Sequence, residues 1–380
     1  LRAVGERLLA TLRPFDTAAR LGGDEFAVLI EDAGGIADAI RVADRIVGAL
    51  SEPFALHGRE LTVRASIGVA VPGEEELDGE ELLRRADLAM YRVKQRGKGS
   101  YEVYQPSMQE VMVRRLELRT ELERAVQRGE LVLRYQPIVA LESGRLVGVE
   151  ALVRWEHPLR GTMPPIEFIP LAEETGLIVA VGRRVLEDAC RQARAWHLAH
   201  PHRADLGISV NLSPRQLQDE GFVGEVAAVL RETGLDPRLL TLEITESVMV
   251  DGGAPAGRLA ELKALGVRLS IDDFGTGYSS LSALQHLPVD ALKIAKPFVD
   301  GIAEDPQKRA FAQAIVRLGR TLELDLVAEG VEHAEQRDHL LELGCQMAQG
   351  YFFARPLEAA SIDRLLATGS RSWSAAALIA

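Results

Sequence analysis

The sequence predicts an α/β protein in which a smaller α+β unit precedes a TIM-type (β/α)8 barrel. From residue 130 onward, about eight apolar strand-like runs alternate with helical stretches over about 240 residues, the scale of such a barrel. Before residue 106 the strands and helices follow no such alternation, and a charged amphipathic stretch separates the two parts. A doubly wound open sheet is the alternative for the larger part.

Residues 1–105 carry the elements of an α+β unit. Two apolar runs around the pair Gly22-Gly23 predict a β-hairpin, because the turn between them needs positive φ. Periodicity and apolar runs predict helices at 1–13, 36–50 and 79–96, and strands at Leu61–Val71 and Tyr101–Tyr104.

Residues 106–129 form a helical connector that ends at Gly129, the barrel occupies 130–367, and 368–380 is a tail rich in small residues. The predicted barrel strands are Leu131–Val139, Leu146–Trp155, Gly207–Leu212, Leu239–Ile244, Val267–Ile271, Ala291–Ala295, Leu326–Ala328 and a weak one near Gly350–Phe353. The predicted barrel helices are 166–176, 181–199, 222–233, 255–265, 307–322 and 334–343.

Composition and charge exclude several classes of protein. With 47% hydrophobic and 26% charged residues among 380, the chain resembles ordinary globular proteins. A formal charge of −12 argues against binding to a nucleic-acid polymer or an anionic membrane, so an anionic substrate would need a local cationic site. Cys190 and Cys345 show no metal-ligand spacing and fit a reducing compartment.

The sequence also bears on localisation. No apolar run approaches the roughly 18 residues that span a bilayer, and we expect cytoplasmic domains. The chain begins at Leu1, without a Met and inside a predicted helix, so we expect a fragment of a longer protein. A sensor domain or membrane anchor could lie in the segments before it.

Polar side chains lie at the carboxyl ends of six predicted strands. Asp272 and Asp273 end the run Leu269–Ile271, immediately before the glycine-rich stretch Gly275–Ser280. Taken alone, this pair could also be a solvated loop start with a helix cap. Barrel active sites lie at this strand edge, and carboxylates packed there must be neutralised. The other strand-end residues are Glu150, Asn211, Glu243 with Glu246, Lys293 and Glu329.

The residue types indicate the chemistry of this site. Carboxylate and amide oxygens without a His or Cys cluster favour a hard cation such as Mg²⁺ or Mn²⁺. A carboxylate-rich site that holds two ions about 4 Å apart suits in-line displacement at phosphorus. Lys293 would stabilise charge on the phosphate or orient the water. Arg154, four residues past Glu150 and on the same strand face, is a candidate phosphate contact.

The segment Glu150-Ala151-Leu152-Val153-Arg154-Trp155 resembles the EAL-domain family of cyclic di-GMP phosphodiesterases. The resemblance covers roughly residues 118–367 in order. It implies a TIM-type barrel that hydrolyses cyclic di-GMP to linear 5′-pGpG in bacterial signalling, as a homodimer with the loop after Asp273 at its interface. The further matches are Tyr135-Gln136-Pro137, Asn211-Leu212-Ser213, Glu243-Ile244-Thr245-Glu246, Asp272-Asp273-Phe274-Gly275-Thr276-Gly277-Tyr278-Ser279-Ser280, Ala328-Glu329-Gly330-Val331-Glu332 and Gln349-Gly350.

The resemblance also implies roles for single residues. Lys293 and Glu329 correspond to the groups that activate water and stabilise charge. The implied ligands of two Mg²⁺ or Mn²⁺ ions are Glu150, Asn211, Glu243, Asp272 and Asp273. The implied substrate contacts are Gln136, Leu152, Arg154 and Gln349, while Glu246 and Glu332 support the loop after Asp273 and the surroundings of the ligands.

One position departs from the family pattern. The family usually has Lys-Ile-Asp where this chain has Lys293-Ile294-Ala295. Ala295 lies two residues past Lys293, so a carboxylate is missing on the same face. We expect slower turnover or weaker binding of the second metal ion.

The N-terminal unit resembles the GGDEF diguanylate-cyclase family through Gly22-Gly23-Asp24-Glu25-Phe26, Ser66-Ile67-Gly68-Val69 and Ala86-Asp87-Leu88-Ala89-Met90-Tyr91. Arg13 and Asp16 stand where the family has its inhibitory product site, although a helix-end Arg and a turn Asp explain them equally simply. The family's first strand, with a metal-binding Asp, would precede Leu1. We therefore expect no cyclase activity from these residues, with GTP or cyclic di-GMP as ligands of this unit only in a longer protein.

Two other functions stay open. The barrel could be a receptor that holds cyclic di-GMP through Arg154 and Gln136 without cutting it, which Ala295 favours. Alternatively, the N-terminal unit could be a GTP sensor, although the missing strand speaks against that.

Overall fold

The computed structural model describes residues 1–31, 33–56, 59–73, 77–96, 99–249, 254–276 and 284–367. The chain divides into two compact units, Leu1–Leu118 and Arg119–Ala380. The boundary between them falls inside one continuous helix, Pro106–Arg128, which covers the predicted connector.

The N-terminal unit contains three two-stranded sheets and the helices that flank them. The predicted hairpin is confirmed, because Thr17–Gly22 pairs antiparallel with Glu25–Leu29, and the turn Gly23-Asp24 contains a glycine with φ of 48°. The core of this unit includes Leu8, Val42, Ile46, Leu50 and Phe54. Its elements are α1 Arg2–Thr11, β1 Thr17–Gly22, β2 Glu25–Leu29, α2 Ile36–Ser51, β3 Phe54–Leu56, β4 Arg59–Leu61, β5 Ser66–Val69, α3 Gly79–Arg96, β6 Ser100–Val103 and α4 Pro106–Arg128.

The predicted strand Leu61–Val71 is wrong as a single element. Its ends belong to different sheets, since β4 pairs antiparallel with β3 whereas β5 pairs parallel with β6. The chain between Leu61 and Ser66 therefore passes from one sheet to the other. β-branched content alone does not show where a strand changes partner.

The C-terminal unit is a closed eight-stranded barrel with helices between most of its strands. Its strands follow the order β10-β11-β12-β13-β14-β15-β7-β8, and a parallel pairing of β10 with β8 closes the barrel. The strands are β7 Leu131–Ala140, β8 Leu146–His157, β9 Gly161–Met163, β10 Gly207–Leu212, β11 Leu240–Thr245, β12 Arg268–Phe274, β13 Ala291–Ile294, β14 Asp325–Ala328 and β15 Met347–Ala348. The helices are α5 Pro165–Thr175, α6 Ile178–Ala199, α7 Pro214–Leu217, α8 Phe222–Thr233, α9 Ala254–Ala264, α10 Lys296–Val299, α11 Pro306–Thr321, α12 Ala334–Leu343 and α13 Ala359–Ala367.

The barrel differs from a strictly parallel (β/α)8 barrel at its first strand. β7 runs antiparallel to both of its neighbours, β15 and β8. Residues 141–145 are too few for a crossover between parallel strands, which takes about a dozen residues, so β7 and β8 form a hairpin. The prediction of parallel units throughout the barrel is therefore wrong for β7.

The last predicted strand, near Gly350–Phe353, is also misplaced. The eighth strand is β15, Met347–Ala348, and the chain turns immediately after it. Phe352 N–H then donates a hydrogen bond to the Val331 carbonyl, 2.9 Å away, so this segment packs on the loop after β14. Within the part of the chain that the structure describes, no helix combines the length and apolar character of a membrane span.

Candidate active site

The barrel brings the strand-end residues of the sequence together at one edge. Asn211 of β10 and Glu243 of β11 are directly paired in register, and Thr245 of β11 pairs with Asp272 of β12. Glu329 follows β14 directly. Glu150 does not end its strand as predicted, because β8 continues to His157 in the hairpin with β7. Its register partner is Ser209 in the middle of β10, and its carboxylate reaches Asn211 near the end of that strand.

Lys293 lies at the centre of this acidic cluster. Its side chain is 1% exposed, and its Nζ lies 2.6 Å from both Glu243 Oε2 and Glu329 Oε1. The same Nζ is 3.2 Å from Glu150 Oε2 and from Asp272 Oδ1. One ammonium therefore faces four carboxylates in an environment with almost no solvent.

Three glutamates of this cluster have shifted pKa values, with different causes. Burial raises the pKa of Glu243 well above its ordinary value, and the charge of Glu150 adds to the effect. Burial also raises the pKa of Glu329, to about 8. For Glu150, burial is outweighed by the charge of Lys293 and by hydrogen bonds, so its pKa is lowered. The pKa of Lys293 is raised because the four carboxylates outweigh its burial. The cluster thus holds at least one proton that a cation could displace.

Two amides orient the carboxylates. Gln349 Nε2 donates to Glu150 Oε2 at 2.7 Å and to Glu329 Oε1 at 2.8 Å, and so bridges them. Asn211 Nδ2 donates to the other oxygen of Glu150 at 2.6 Å. Gln349 Oε1 is buried and accepts no hydrogen bond from the described residues, so it is available to a donor or a cation. Asp272 Oδ1 is also buried, and its recorded contact is the ion pair with Lys293.

The end of β12 has an unusual backbone conformation, with a shift in its register against β13 between Ile271 and Phe274. Asp273 has φ of 51°, and its side chain is exposed, whereas Asp272 is half-buried. Partial desolvation and the neighbouring charge of Asp272 raise the pKa of Asp273. Glu246 accepts a hydrogen bond from Gly275 N–H at 2.9 Å, which holds the start of this loop. The rest of the predicted motif, Gly277 to Ser280, lies outside the described residues.

A cavity of about 620 Å³ opens beside the acidic cluster, within the usual size range of ligand pockets. The predicted substrate contacts Gln136, Leu152 and Gln349 and the predicted ligand Asn211 contribute to its lining. So do Glu150, Asp272, Glu329 and Glu332. Its opposite wall is apolar and comes mainly from α5 and α6, with Ile169, Pro170, Ile178 and Val181. The cavity therefore combines an acidic end with an apolar wall.

Two predicted residues have contacts that the sequence did not reveal. Arg154 donates to its neighbouring carbonyl, Val153 O, at 2.8 Å and is not among the described residues that line the cavity. Gln136 lines the cavity but also donates to the Ala354 carbonyl at 3.2 Å, which ties β7 to the segment after β15.

The position that departs from the family pattern, Ala295, is fully buried. It stands between β13 and α10, directly after the strand that carries Lys293. Sequence reasoning missed the next residue, Lys296, whose side chain lines the cavity and pairs with Glu332 Oε1 at 2.5 Å. The signal for it was present, since it is a second lysine just past a predicted strand end.

The site residues predicted in the N-terminal unit lie in its first hairpin and the turn before it. Gly22 ends β1 and pairs with Glu25, Gly23 and Asp24 form the turn, and Arg20 donates to the Gly23 carbonyl at 3.1 Å. Asp24 and Glu25 are exposed, while Phe26 packs against the core of this unit. Asp16 Oδ2 accepts from the backbone N–H of Arg13 at 2.9 Å, a local turn contact.

The fold and the site define the class of protein: a closed α/β barrel with an oxygen-rich ligand site at the carboxyl edge of its strands. A model of the EAL domain matches residues 119–356, and the chain belongs to this family. A model described as diguanylate cyclase, GGDEF domain, matches residues 1–100.

Several characterised proteins are similar to this chain. The bifunctional diguanylate cyclase/cyclic di-GMP phosphodiesterase MucR of Pseudomonas aeruginosa is 46% identical over 367 residues, which are 96% of this chain and 53% of MucR. The cyclic di-GMP phosphodiesterase NbdA of the same organism is 40% identical over 369 residues, 96% of this chain and 46% of NbdA. The chain thus spans about half the length of these curated relatives.

Solved structures are similar to the barrel in particular. A PaMucR phosphodiesterase in complex with c-di-GMP is 47% identical with a TM-score of 0.62, covering 65% of this chain and 99% of that one. The EAL domain of Mycobacterium smegmatis DcpA is 36% identical with a TM-score of 0.54, covering 63% and 97%. The predicted family and barrel fold are confirmed by these matches.

Proposed function

We propose that the barrel hydrolyses cyclic di-GMP to linear 5′-pGpG with Mg²⁺ or Mn²⁺ at the acidic cluster. The observation that supports this most directly is the convergence of four carboxylates on Lys293 beside a ligand-sized cavity. The names of the similar proteins, which include cyclic di-GMP phosphodiesterases and a c-di-GMP complex, support the choice of substrate.

The donor set fits a hard divalent cation in chemistry and in charge. Glu150, Glu243, Asp272, Asp273 and Glu329 offer five carboxylates against the single ammonium of Lys293. In the arrangement described, however, the carboxylates turn toward Lys293. No three His, Cys, Asp or Glu side chains within the described ranges are placed to hold a metal ion together. Metal binding would therefore require that carboxylates exchange contacts with Lys293 for contacts with the ion.

The proposed reaction assigns roles to residues of this chain. Water forms a bond to one phosphorus, the P–O3′ bond breaks, and the 3′-oxygen takes up a proton. Glu329 would take the proton from water, and a pKa of about 8 suits a general base near neutral pH. Lys293 stabilises negative charge that develops on the phosphate. A bound divalent ion would supply further charge neutralisation and a more acidic water.

The direct test is incubation of the protein with cyclic di-GMP and Mg²⁺ or Mn²⁺, followed by chromatography of the nucleotides. We expect pGpG that depends on the added metal. Binding without product would favour the receptor, the second candidate function. Ala295 is the observation that favours it, because the face of the strand that holds Lys293 lacks a further carboxylate. A homodimer and nucleotide binding by the N-terminal unit stay predictions.

Restoring the missing carboxylate should strengthen metal binding. In the variant Ala295→Asp, we expect half-maximal hydrolysis at a lower Mg²⁺ concentration and a higher kcat, since a sixth acidic group joins the cluster. Ala295→Asn, of the same size but uncharged, is the matched control for steric effects at this fully buried position. If wild type and Ala295→Asp have the same rates and the same Mg²⁺ titrations, the missing carboxylate at Ala295 does not limit metal binding or turnover.

Metal binding should also compete with protons. At pH 6.5 Glu329, with a pKa of about 8, retains a proton that a cation must displace, and the pKa of Glu243 is raised in the same direction. We expect Mn²⁺ to raise the Tm more at pH 8.5 than at pH 6.5, relative to protein in EDTA. The pH dependence should be weaker in Glu329→Gln, which cannot ionise. A Tm increase that is larger at the lower pH would contradict a site built from these carboxylates.

A further inference from the structure

Lys296 is a cation on the wall of the cavity that the proposed reaction does not use. Its side chain is 48% exposed and lines the cavity, as do Glu329, Gly330 and Tyr351. Among the described residues of this lining, Lys296 is the only one with a cationic side chain. Lys293 lies deeper and is enclosed by carboxylates.

The position of Lys296 is set by its neighbours. Gly330 has φ of 69°, and a Cβ at this residue would lie 2.5–2.8 Å from carbon atoms of the Lys296 stem. The stem therefore packs over the backbone of Gly330, where no side chain fits. Its ammonium then reaches Glu332 Oε1 at 2.5 Å, and this hydrogen bond raises the pKa of Lys296. Lys296 thus presents a fixed and fully charged ammonium to the cavity.

Stability alone is a weak reason for this pair. Exposed ion pairs contribute about 0–1 kcal/mol because solvent screens them and both side chains lose freedom. The Lys296 side chain stays 48% exposed beside Glu332, so the carboxylate covers only part of it. The pair therefore leaves Lys296 able to exchange Glu332 for another anion.

Cyclic di-GMP brings two phosphates into a cavity whose lining carries Glu150, Asp272, Glu329 and Glu332. Only one phosphate can lie at the acidic cluster for cleavage. The other must lie along the cavity in the field of the same carboxylates, where it needs a cation within contact distance. Arg154, the cation that the sequence suggested, donates to its own strand instead.

We propose that Lys296 binds the phosphate that is not cleaved, and that Glu332 holds the ammonium in place until the substrate displaces it. This inference rests on the proposed function, since it presumes cyclic di-GMP as the ligand. Lys296 is then a binding residue that contributes to substrate affinity and selects for a ligand with two phosphates. Tyr351, 51% exposed on the same cavity, offers an aromatic face next to this contact.

The test compares Lys296→Met, Glu332→Gln and a control variant in steady-state hydrolysis of cyclic di-GMP at saturating metal. For Lys296→Met we expect a KM raised about tenfold, equivalent to about 1.4 kcal/mol, with a much smaller change in kcat. For Glu332→Gln we expect a KM lowered about threefold, because the ammonium loses its competitor. Arg309→Met, which removes a similarly exposed ion pair with Glu342 at 3.0 Å, should leave KM unchanged.

The dependence of KM on ionic strength is a second test of the same contact. The wild-type KM should rise as salt increases from 50 to 300 mM, and the KM of Lys296→Met should rise less, since a screened contact has been removed. If the pair is merely structural, both pair variants should change KM in the same direction. That result, or a KM of Lys296→Met equal to that of wild type, would overturn the inference. The proposed function would not be affected.

Failure of this inference can be distinguished from failure of the proposed function. Wild-type protein that neither binds nor cleaves cyclic di-GMP refutes the proposed function, and this inference with it. If wild-type protein binds cyclic di-GMP without cleaving it, the dissociation constant from calorimetry replaces KM as the quantity to be measured. The same opposite shifts for Lys296→Met and Glu332→Gln are then expected in that constant.

Discussion

The variant Glu150→Ala should lose hydrolysis of cyclic di-GMP by about a thousandfold or more, which corresponds to about 4 kcal/mol of transition-state stabilisation. Glu150 is 4% exposed and accepts hydrogen bonds from Asn211, Gln349 and Lys293. Its removal takes away an oxygen donor for the cation and also the partner that orients these three side chains. The measurement is kcat/KM from the rate of pGpG formation at several metal concentrations.

Glu156→Ala is the matched control for Glu150→Ala. Glu156 lies on the same strand and the same strand face, six residues further on, but it is exposed and pairs with Arg134 at 3.2 Å. We expect this control to keep hydrolysis within about twofold, as for most surface substitutions. Cyclic di-GMP affinity should fall less than turnover in Glu150→Ala, since the apolar wall and Lys296 remain. If Glu150→Ala hydrolyses within tenfold of wild type, the acidic cluster is not the catalytic site.

The barrel could be predicted from periodicity, but the direction of its first strand could not. Apolar alternation marks β7 and β8 as strands without indicating which way they run. The five residues between them, 141–145, carried the missing information, because they cannot hold a crossover helix. Loop length was thus a better guide to strand direction than the apolar pattern. The weak eighth strand failed for a different reason, since β15 has only two residues and offers no period to detect.

The composition of the site was predictable because strand ends of a barrel meet at one edge, whatever the helices between them do. Its internal contacts were not. Gln349 was predicted to hold substrate, and in the structure it bridges Glu150 and Glu329. Lys296 was overlooked because nothing in its local pattern says that its stem crosses Gly330. Such contacts join residues far apart in the chain, and only the closed barrel brings them together.

We expect Lys293 to stabilise the folded barrel as well as to take part in the proposed reaction. Removing one partner of a buried ion pair costs about 3–5 kcal/mol, because the remaining charge is neither solvated nor paired. Lys293→Met removes the single ammonium that faces four carboxylates. In EDTA at pH 8, we therefore expect a loss of stability of about this size, together with loss of hydrolysis in metal-containing buffer.

The pH dependence of this loss distinguishes charge from packing. Without the ammonium, the pKa of Glu329, already about 8, and the raised pKa of Glu243 should both rise further. The folded variant then binds more protons than the unfolded chain, so its stability falls as pH rises from the unfolded pKa near 4.5 toward the raised folded values. The Tm deficit relative to wild type should be small at pH 5 and large at pH 8, and Mn²⁺ should recover part of it. Lys263→Met, which breaks the half-buried pair with Asp290 at 2.7 Å, should show a small deficit with little pH dependence over this range. An equal deficit for Lys293→Met at both pH values would mean that Lys293 stabilises the barrel by packing rather than by its charge.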